Sequence, residues 1–264
     1  MQPVWINECA FADDIVIFAR NETELKRNLN TWNNKLSSKN LKINENKTKI
    51  MINGKSEEMV NIEINDQIIE QVNSFKYLGV QIESHGHQNQ EITARVQSAA
   101  NLYHSIKNTF LGKKEVSLKT KISVFNSVFV PILTFGSESW VLTKRQESLT
   151  QAVEMKYLRK VLGVTRMNKL RNSHIREQLK LQPVLTTIEN CQLRWYGHLK
   201  RLNKERPVRR VWEAKRQEKR KKGRPATTWD QNVAKLHKTR GIGCAEAASM
   251  ALDKKKWQNF IYGK

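Results

Sequence analysis

The spacing of apolar residues changes along the chain and divides it into an extended part and a helical part. Val4, Ile6 and Phe11 precede Asp13-Asp14, and Ile15-Val16-Ile17-Phe18 follows as an unbroken apolar run. This pattern predicts a hairpin with an acidic tight turn and a second strand buried on both faces. Asn21 and Glu24 make an Asn-x-x-Glu helix start resembling a capping box. Leu25, Leu29, Trp32 and Leu36 then recur at helical spacing until Ser37-Ser38-Lys39-Asn40. Leu41 to Asn44 reads as extended. Residues 60–72 alternate about Asn65-Asp66, which predicts a second hairpin. Phe75 to Ile82 continues the extended pattern.

From residue 88 the period becomes helical. Ile92, Val96, Ala99, Tyr103, Ile106 and Phe110 form one apolar stripe. A further helix is expected from Ser117, with Leu118, Ile122, Phe125 and Phe129 inward and Pro131 stopping it. Leu149, Val153, Tyr157, Leu158, Val161 and Leu162 mark another. A long helix near 183–203 places Ile188, Cys191, Trp195, Leu199 and Leu202 on its buried stripe and Arg194, His198, Lys200 and Arg201 on other faces. The expected fold class is α+β, in three regions: 1–84, 85–165 and 166–264.

Charge sharpens this division. The 264 residues carry a net charge of +22. Residues 1–150 hold 18 Lys+Arg against 16 Asp+Glu, and residues 151–264 hold 29 against 9. Such asymmetry implies a polyanion-binding half beside a nearly neutral scaffold. The run Arg216, Lys219, Arg220, Lys221, Lys222 and Arg224 concentrates it. Within that run, Gly223-Arg224-Pro225 reads as a minor-groove hook, a solvated linker or a nuclear-entry signal. Trp195, Tyr196, Trp212, Trp229 and Trp257 interleave with the charge as candidates for base stacking, although Trp195 lies on the apolar stripe and reads as core.

Three scattered cysteines, Cys9, Cys191 and Cys244, offer neither a disulfide framework nor a zinc pair and fit a reduced intracellular compartment. No apolar run approaches the ~20 residues that span a bilayer, and the N-terminus lacks the basic head of a signal peptide. His85-x-His87 and Cys191 with His198 supply ligand types without a four-ligand constellation.

The chemistry-bearing candidate is Asp13-Asp14. An isolated Asp-Asp pair is most often a solvated turn former. Two carboxylates on a rigid support also suit hard divalent cations such as Mg²⁺, which clamp attacking and leaving oxygens in phosphoryl displacement.

Several segments, in order, carry a family resemblance. Phe11-Ala12-Asp13-Asp14 with its apolar continuation resembles the Tyr/Phe-x-Asp-Asp box of the reverse-transcriptase palm hairpin. Leu41 to Met51, with its Asn44-x-x-Lys47-Thr48 turn, resembles the palm element that follows. Phe75-Lys76-Tyr77-Leu78-Gly79 resembles the hairpin that supports the primer terminus. Pro131 to Trp140, Leu158 to Val164, Leu193-Arg194-Trp195-Tyr196-Gly197-His198-Leu199, and Gly223-Arg224-Pro225 with Trp229 resemble segments downstream of the palm in LINE-type elements. The chain is thereby similar, from residue 9 to about 230, to the C-terminal part of a non-LTR retrotransposon reverse transcriptase.

The resemblance implies an RNA-directed DNA polymerase: a partial palm over 1–84, a thumb-like helical region over 85–165 and a basic nucleic-acid-binding region over 166–264. It implies that Asp13 bridges two Mg²⁺ ions, that Asp14 assists, and that Phe75, Tyr77, Leu78 and Gly79 support a primer. Lys47 falls at the palm lysine, where a solvated turn lysine is an equal reading. The family's other metal carboxylate and its fingers lie upstream of the Asp-Asp hairpin, and only eight residues precede Cys9. The expectation is therefore a chain inactive by itself that keeps RNA and DNA binding in Arg194, His198, Lys200, Arg201 and the 216–224 run, in an intracellular and nuclear setting. A complementing polymerase chain, a non-enzymatic DNA- or RNA-binding protein of retroelement origin, and an inert remnant remain as alternatives.

Overall fold

Three two-residue turns shape the first part of the computed structural model, which describes residues 6–54, 59–214 and 227–263. Strands β1 (Glu8–Phe11) and β2 (Asp14–Ile17) pair antiparallel, with Phe11 opposite Asp14 and Ala12-Asp13 as the turn. Helix α1 (Glu22–Ser37) follows, and its Asn21 cap accepts a hydrogen bond from the Glu24 amide. Strands β3 (Glu63–Ile64) and β4 (Gln67–Ile68) meet at Asn65-Asp66, and β5 (Ser74–Tyr77) and β6 (Val80–Glu83) meet at Leu78-Gly79. Both central residues of these last two turns have positive φ, the backbone whose twist matches a tight hairpin.

The chain divides into two compact units, 1–91 and 92–264. The first has a small aliphatic core of Leu29, Ile50, Ile62, Ile64 and Ile69, with Ile17, Leu25, Ile43 and Val60 packed on it. Among the described residues its strands form three separate two-stranded antiparallel ladders. The expected burial of β2 on both faces does not occur: Ile15 is 36% and Phe18 47% exposed. Among the described residues β2 ladders only with β1, and Ile17 alone joins the core from the apolar run. After the Asn44 turn one parallel bridge joins Ile50 to Gln71. Val4 lies outside the described residues.

The second unit is helical. Helix α2 (Asn89–Ile106) begins in the last residues of the first unit and runs into a π-helical turn, Lys107–Leu111. Helix α3 (Leu118–Val124), a π-helical segment (Phe125–Phe129) and α4 (Val130–Thr134) form one continuous rod. Pro131 therefore does not stop the helix. It sits in the first turn of α4, where a missing N–H is tolerated, directly after the wider π-turn in which the Val130 amide donates to the Phe125 carbonyl.

Helix α5 (Lys144–Leu162) opens on a Thr143/Gln146 capping box and ends at Gly163, whose φ of 71° suits glycine. Helices α6 (Asn172–Leu179) and α7 (Val184–Arg201) pack against α5. The main core gathers Ile92, Phe125, Phe129, Leu133, Trp140, Val153, Tyr157, Leu158, Ile175 and Ile188. Leu118, expected inward, is exposed at the first position of α3, next to its Ser117 cap, and Leu149, also expected inward, is exposed while Gln146, Thr150 and Val153 of α5 are buried. Arg176 of α6 donates to both carboxylate oxygens of fully buried Glu154, at 3.0 and 2.7 Å, and the Val184 amide donates to the same group. One buried carboxylate thus joins α5, α6 and α7.

Helices α8 (Pro207–Glu213), α9 (Trp229–Thr239), α10 (Cys244–Met250) and α11 (Lys254–Tyr262) build a second cluster on the C-terminal half of α7. Leu193, Tyr196, Val233, Leu236 and Trp257 are buried there. The buried face of α7 differs from the expected one. Ile188, Gln192, Leu193, Tyr196, Gly197 and Leu199 point inward, while Cys191, Trp195 and Leu202 are only partly covered. Gln192 occupies the interior because its amide is satisfied, donating to the Trp140 carbonyl and accepting from Asn232.

Candidate functional site

Asp13 and Asp14 stand at the tip of the first hairpin with both side chains exposed. Asp13 is the second turn residue, and Asp14 opens β2. Ala12 takes the strained corner at φ 49°, which leaves the two carboxylates adjacent at the outer end of the ladder. The other end is fixed, because the Trp32 indole of α1 donates to the Glu8 carboxylate at 2.8 Å and the Phe18 amide donates to Asn7. Glu8 is therefore held at the far end of the hairpin and does not join the aspartates. Among the described residues no cluster of three or more His, Cys, Asp or Glu side chains is placed to hold a metal. Two adjacent carboxylate donors suit Mg²⁺ chemically, but they fall short of a two-metal clamp, so no catalytic step follows from them.

Lys47 lies in a turn organised by Asn44, whose carbonyl and side-chain oxygen both accept from the Lys47 amide. Its side chain is exposed. Phe75, Tyr77, Leu78 and Gly79 belong to the third hairpin, where Leu78 has φ 47° and is 43% exposed. The hairpin is tied to the start of α2 by buried Glu91, which accepts from the Gln81 amide at 2.7 Å. The structure thus places the aspartates, Lys47 and the Leu78 turn in the same unit but on separate turns. His85 contacts the Gly54 carbonyl instead of forming a ligand pair with His87.

In the second unit the basic candidates on α7 separate into two kinds. Arg194 and His198 are exposed, and the His198 ring stacks on Trp195 with centroids 5.3 Å apart. Arg194 also donates to the Cys191 sulfur. Lys200 lies over the Tyr196 and Trp212 rings at 5.5 and 5.1 Å, and Arg201 donates to the Ala251 carbonyl at 2.6 Å. These two therefore hold the helical cluster together. Most of the interleaved aromatic residues are likewise structural. Trp257 donates to the Leu193 carbonyl, Trp229 to that of Glu138 and Trp212 to Asp230. Trp195, expected in the core, is only partly covered and stacks with His198. Arg216, Lys219, Arg220, Lys221, Lys222 and Arg224, with Gly223 and Pro225, lie outside the described residues.

Burial pushes the Tyr196 hydroxyl above its usual pKa and the His237 imidazole below its own, the latter also through the cations Arg240 and Lys200. A basic cluster that sequence spacing did not single out gathers Lys156, Arg159, Lys160 and Arg166 around one cleft. Its only linear signal is the i, i+3, i+4 spacing of cations along α5.

The unit boundary redraws the charge division. Residues 1–91 hold 10 Lys+Arg against 13 Asp+Glu, net −3, and residues 92–264 hold 37 against 12, net +25.

Comparisons with known proteins agree with the hairpin reading. Residues 4–82 match the family model for reverse transcriptase (RNA-dependent DNA polymerase). The chain is 28% identical over 262 residues to an uncharacterized transposon-derived protein of Caenorhabditis elegans, covering 94% of this chain and 92% of that protein. No solved structure matches significantly. The Asp-Asp hairpin lies inside the matched residues and the similarity to the transposon-derived protein runs through both units, so the chain is similar to reverse transcriptases over its first unit and to a transposon-derived protein over most of its length.

Proposed function

We propose that this protein binds RNA or DNA through its second unit, as a descendant of a LINE-type retrotransposon reverse transcriptase whose palm-like unit does not polymerise unaided. The observation that carries this reading is the net charge of +25 on residues 92–264 beside −3 on residues 1–91. Lysine and arginine side chains that neutralise phosphates release counterions, which supplies affinity without sequence preference. The two hydrophobic clusters of the second unit favour a folded binding protein over an inert remnant. A nuclear setting rests on the 216–224 run alone.

The test uses the full chain, because a cut at 150/151 would fall inside α5. Titration against random single-stranded and duplex oligonucleotides should show affinity falling roughly 10³–10⁵-fold between about 50 and 200 mM salt if six to ten phosphates are contacted. Neutralising Arg216, Lys219, Arg220, Lys221, Lys222 and Arg224 should flatten that dependence. A salt-insensitive affinity would defeat the reading.

A second reading rests on the exposed apolar residues Phe11 and Ile15 beside the acidic tip and Phe18 at the other end of the same ladder, which suit a covering chain that also brings a further carboxylate. No primer extension is expected from the protein with Mg²⁺ and nucleotides. Extension that disappears in Asp13→Ala would establish this second reading instead.

A further inference from the structure

The second unit contains an open cleft of about 660 Å³ between α2, α5 and the segment leading to α6. Four cationic side chains line it, Lys156, Arg159 and Lys160 from α5 and Arg166 from the following turn, and no carboxylate does. Lys156 and Arg166 are exposed and Lys160 half-exposed, so their charges face water rather than an acidic partner. Arg159 is held in place: its Nη2 donates to the Asn172 side chain at 2.7 Å and to the Leu170 carbonyl at 3.4 Å. Its Nε is buried with no protein acceptor among the described residues. Tyr103 of α2 supplies an aromatic surface on the same cleft.

A concave site with clustered cations, fixed donors and an aromatic side chain has the chemistry that tracks a phosphodiester backbone and stacks a base. A duplex keeps its bases stacked within, so only a single strand can offer one to Tyr103. We infer that this cleft binds the backbone of a single-stranded polynucleotide, with Lys156, Arg159, Lys160 and Arg166 on phosphates and Tyr103 against a base. The inference rests on the nucleic-acid-binding reading above and gives it a location outside α7 and the 216–224 run.

The experiment measures binding of a labelled random single-stranded oligonucleotide to the full chain by fluorescence anisotropy over a salt series. It compares Lys156→Gln/Lys160→Gln/Arg166→Gln with a control of equal charge, Lys235→Gln/Lys238→Gln/Lys254→Gln, whose lysines are exposed elsewhere on the unit. The cleft variant should lose about tenfold more affinity than the control, and its log–log salt slope should drop by about two. Should the triple variant melt early, Lys156→Gln/Arg166→Gln removes only exposed charges and serves in its place. Tyr103→Leu should weaken binding about fivefold or more while Tyr103→Phe does not, since stacking needs the ring alone. Equal losses in the cleft and control variants, on a chain that still binds, would overturn the cleft while leaving the general function standing. A chain that binds no oligonucleotide at all removes both. Inorganic polyphosphate is the last arm: competition as strong as that of the oligonucleotide, with Tyr103→Leu silent, reduces the cleft to an anion site and refutes polynucleotide recognition.

Discussion

A Cβ on Gly197 would lie 2.3 Å from both Cδ1 and Nε1 of Trp257, a separation no packed structure sustains. Gly197 is helical, in the middle of α7, so its role is close approach rather than backbone freedom. The Trp257 ring sits against the helix backbone, and from there its indole N–H reaches the Leu193 carbonyl at 2.8 Å. This contact seats α11 on α7 and explains a glycine in the Leu193–Leu199 box.

The expected consequence is a large cost for one methyl group. Gly197→Ala should destabilise the protein by about 1–3 kcal/mol through overpacking, a Tm drop of roughly 2–12 °C for a unit this size. Trp257→Leu opens the space, so the double variant should lose less than the sum of the two single losses. Strict additivity in a thermal-melt cycle would contradict the contact.

Glu154 and Arg176 form the second test. Their side chains are 0% and 10% exposed, and removing one partner strands the other's charge in the core. Glu154→Leu or Arg176→Met should each cost about 3–5 kcal/mol, whereas the pair replaced together should recover most of that loss. Denaturant titration of the four proteins decides it, and mild single losses would show the pair to be better hydrated than its burial indicates.

His237 makes stability depend on pH. It is 2% exposed, its ring nitrogens have no protein partner among the described residues, and Tyr196 and Trp257 pack edge-on against it. Burial, then Arg240 and Lys200, holds its pKa below the ordinary 6.5. Below about 6.5 the unfolded chain takes up a proton that the folded chain refuses, so stability falls as pH drops from there toward the folded pKa and then levels off. Tm measured from about pH 7.5 down to about 5 should decline more in the parent than in His237→Phe. Parallel curves would exclude this residue as the cause.

Leu78 carries backbone strain at the tip of the third hairpin. A branched side chain at φ 47° is disfavoured by about 1–2 kcal/mol, and it is 43% exposed, so little packing offsets the cost. Leu78→Asn or Leu78→Gly should therefore stabilise the first unit by about 0.5–1 kcal/mol. A loss of stability in both variants would mean that the leucine side chain packs more than its exposure suggests.

The local elements were written in the linear pattern. Asn21 with Glu24, Ser117 and the Thr143/Gln146 pair cap helices through contacts three residues apart, and Asn65-Asp66 and Leu78-Gly79 turn within two residues. The Asp13-Asp14 hairpin was legible for the same reason, since its chemistry lies in adjacent residues. What escaped the linear reading depended on neighbours distant in the chain. The exposure of β2 follows from which strands pair with it, and the rotated face of α7 follows from Trp140, Asn232 and Trp257, 40 to 64 residues away. Pro131 stayed helical because the π-turn before it changed the hydrogen-bond register. Net charge could be counted from sequence, but only packing sorted Lys200 and Arg201 into the scaffold and gathered Lys156, Lys160 and Arg166 around one cleft with Tyr103. Charge is a property of composition, whereas a binding surface is a property of which side chains the core leaves facing water.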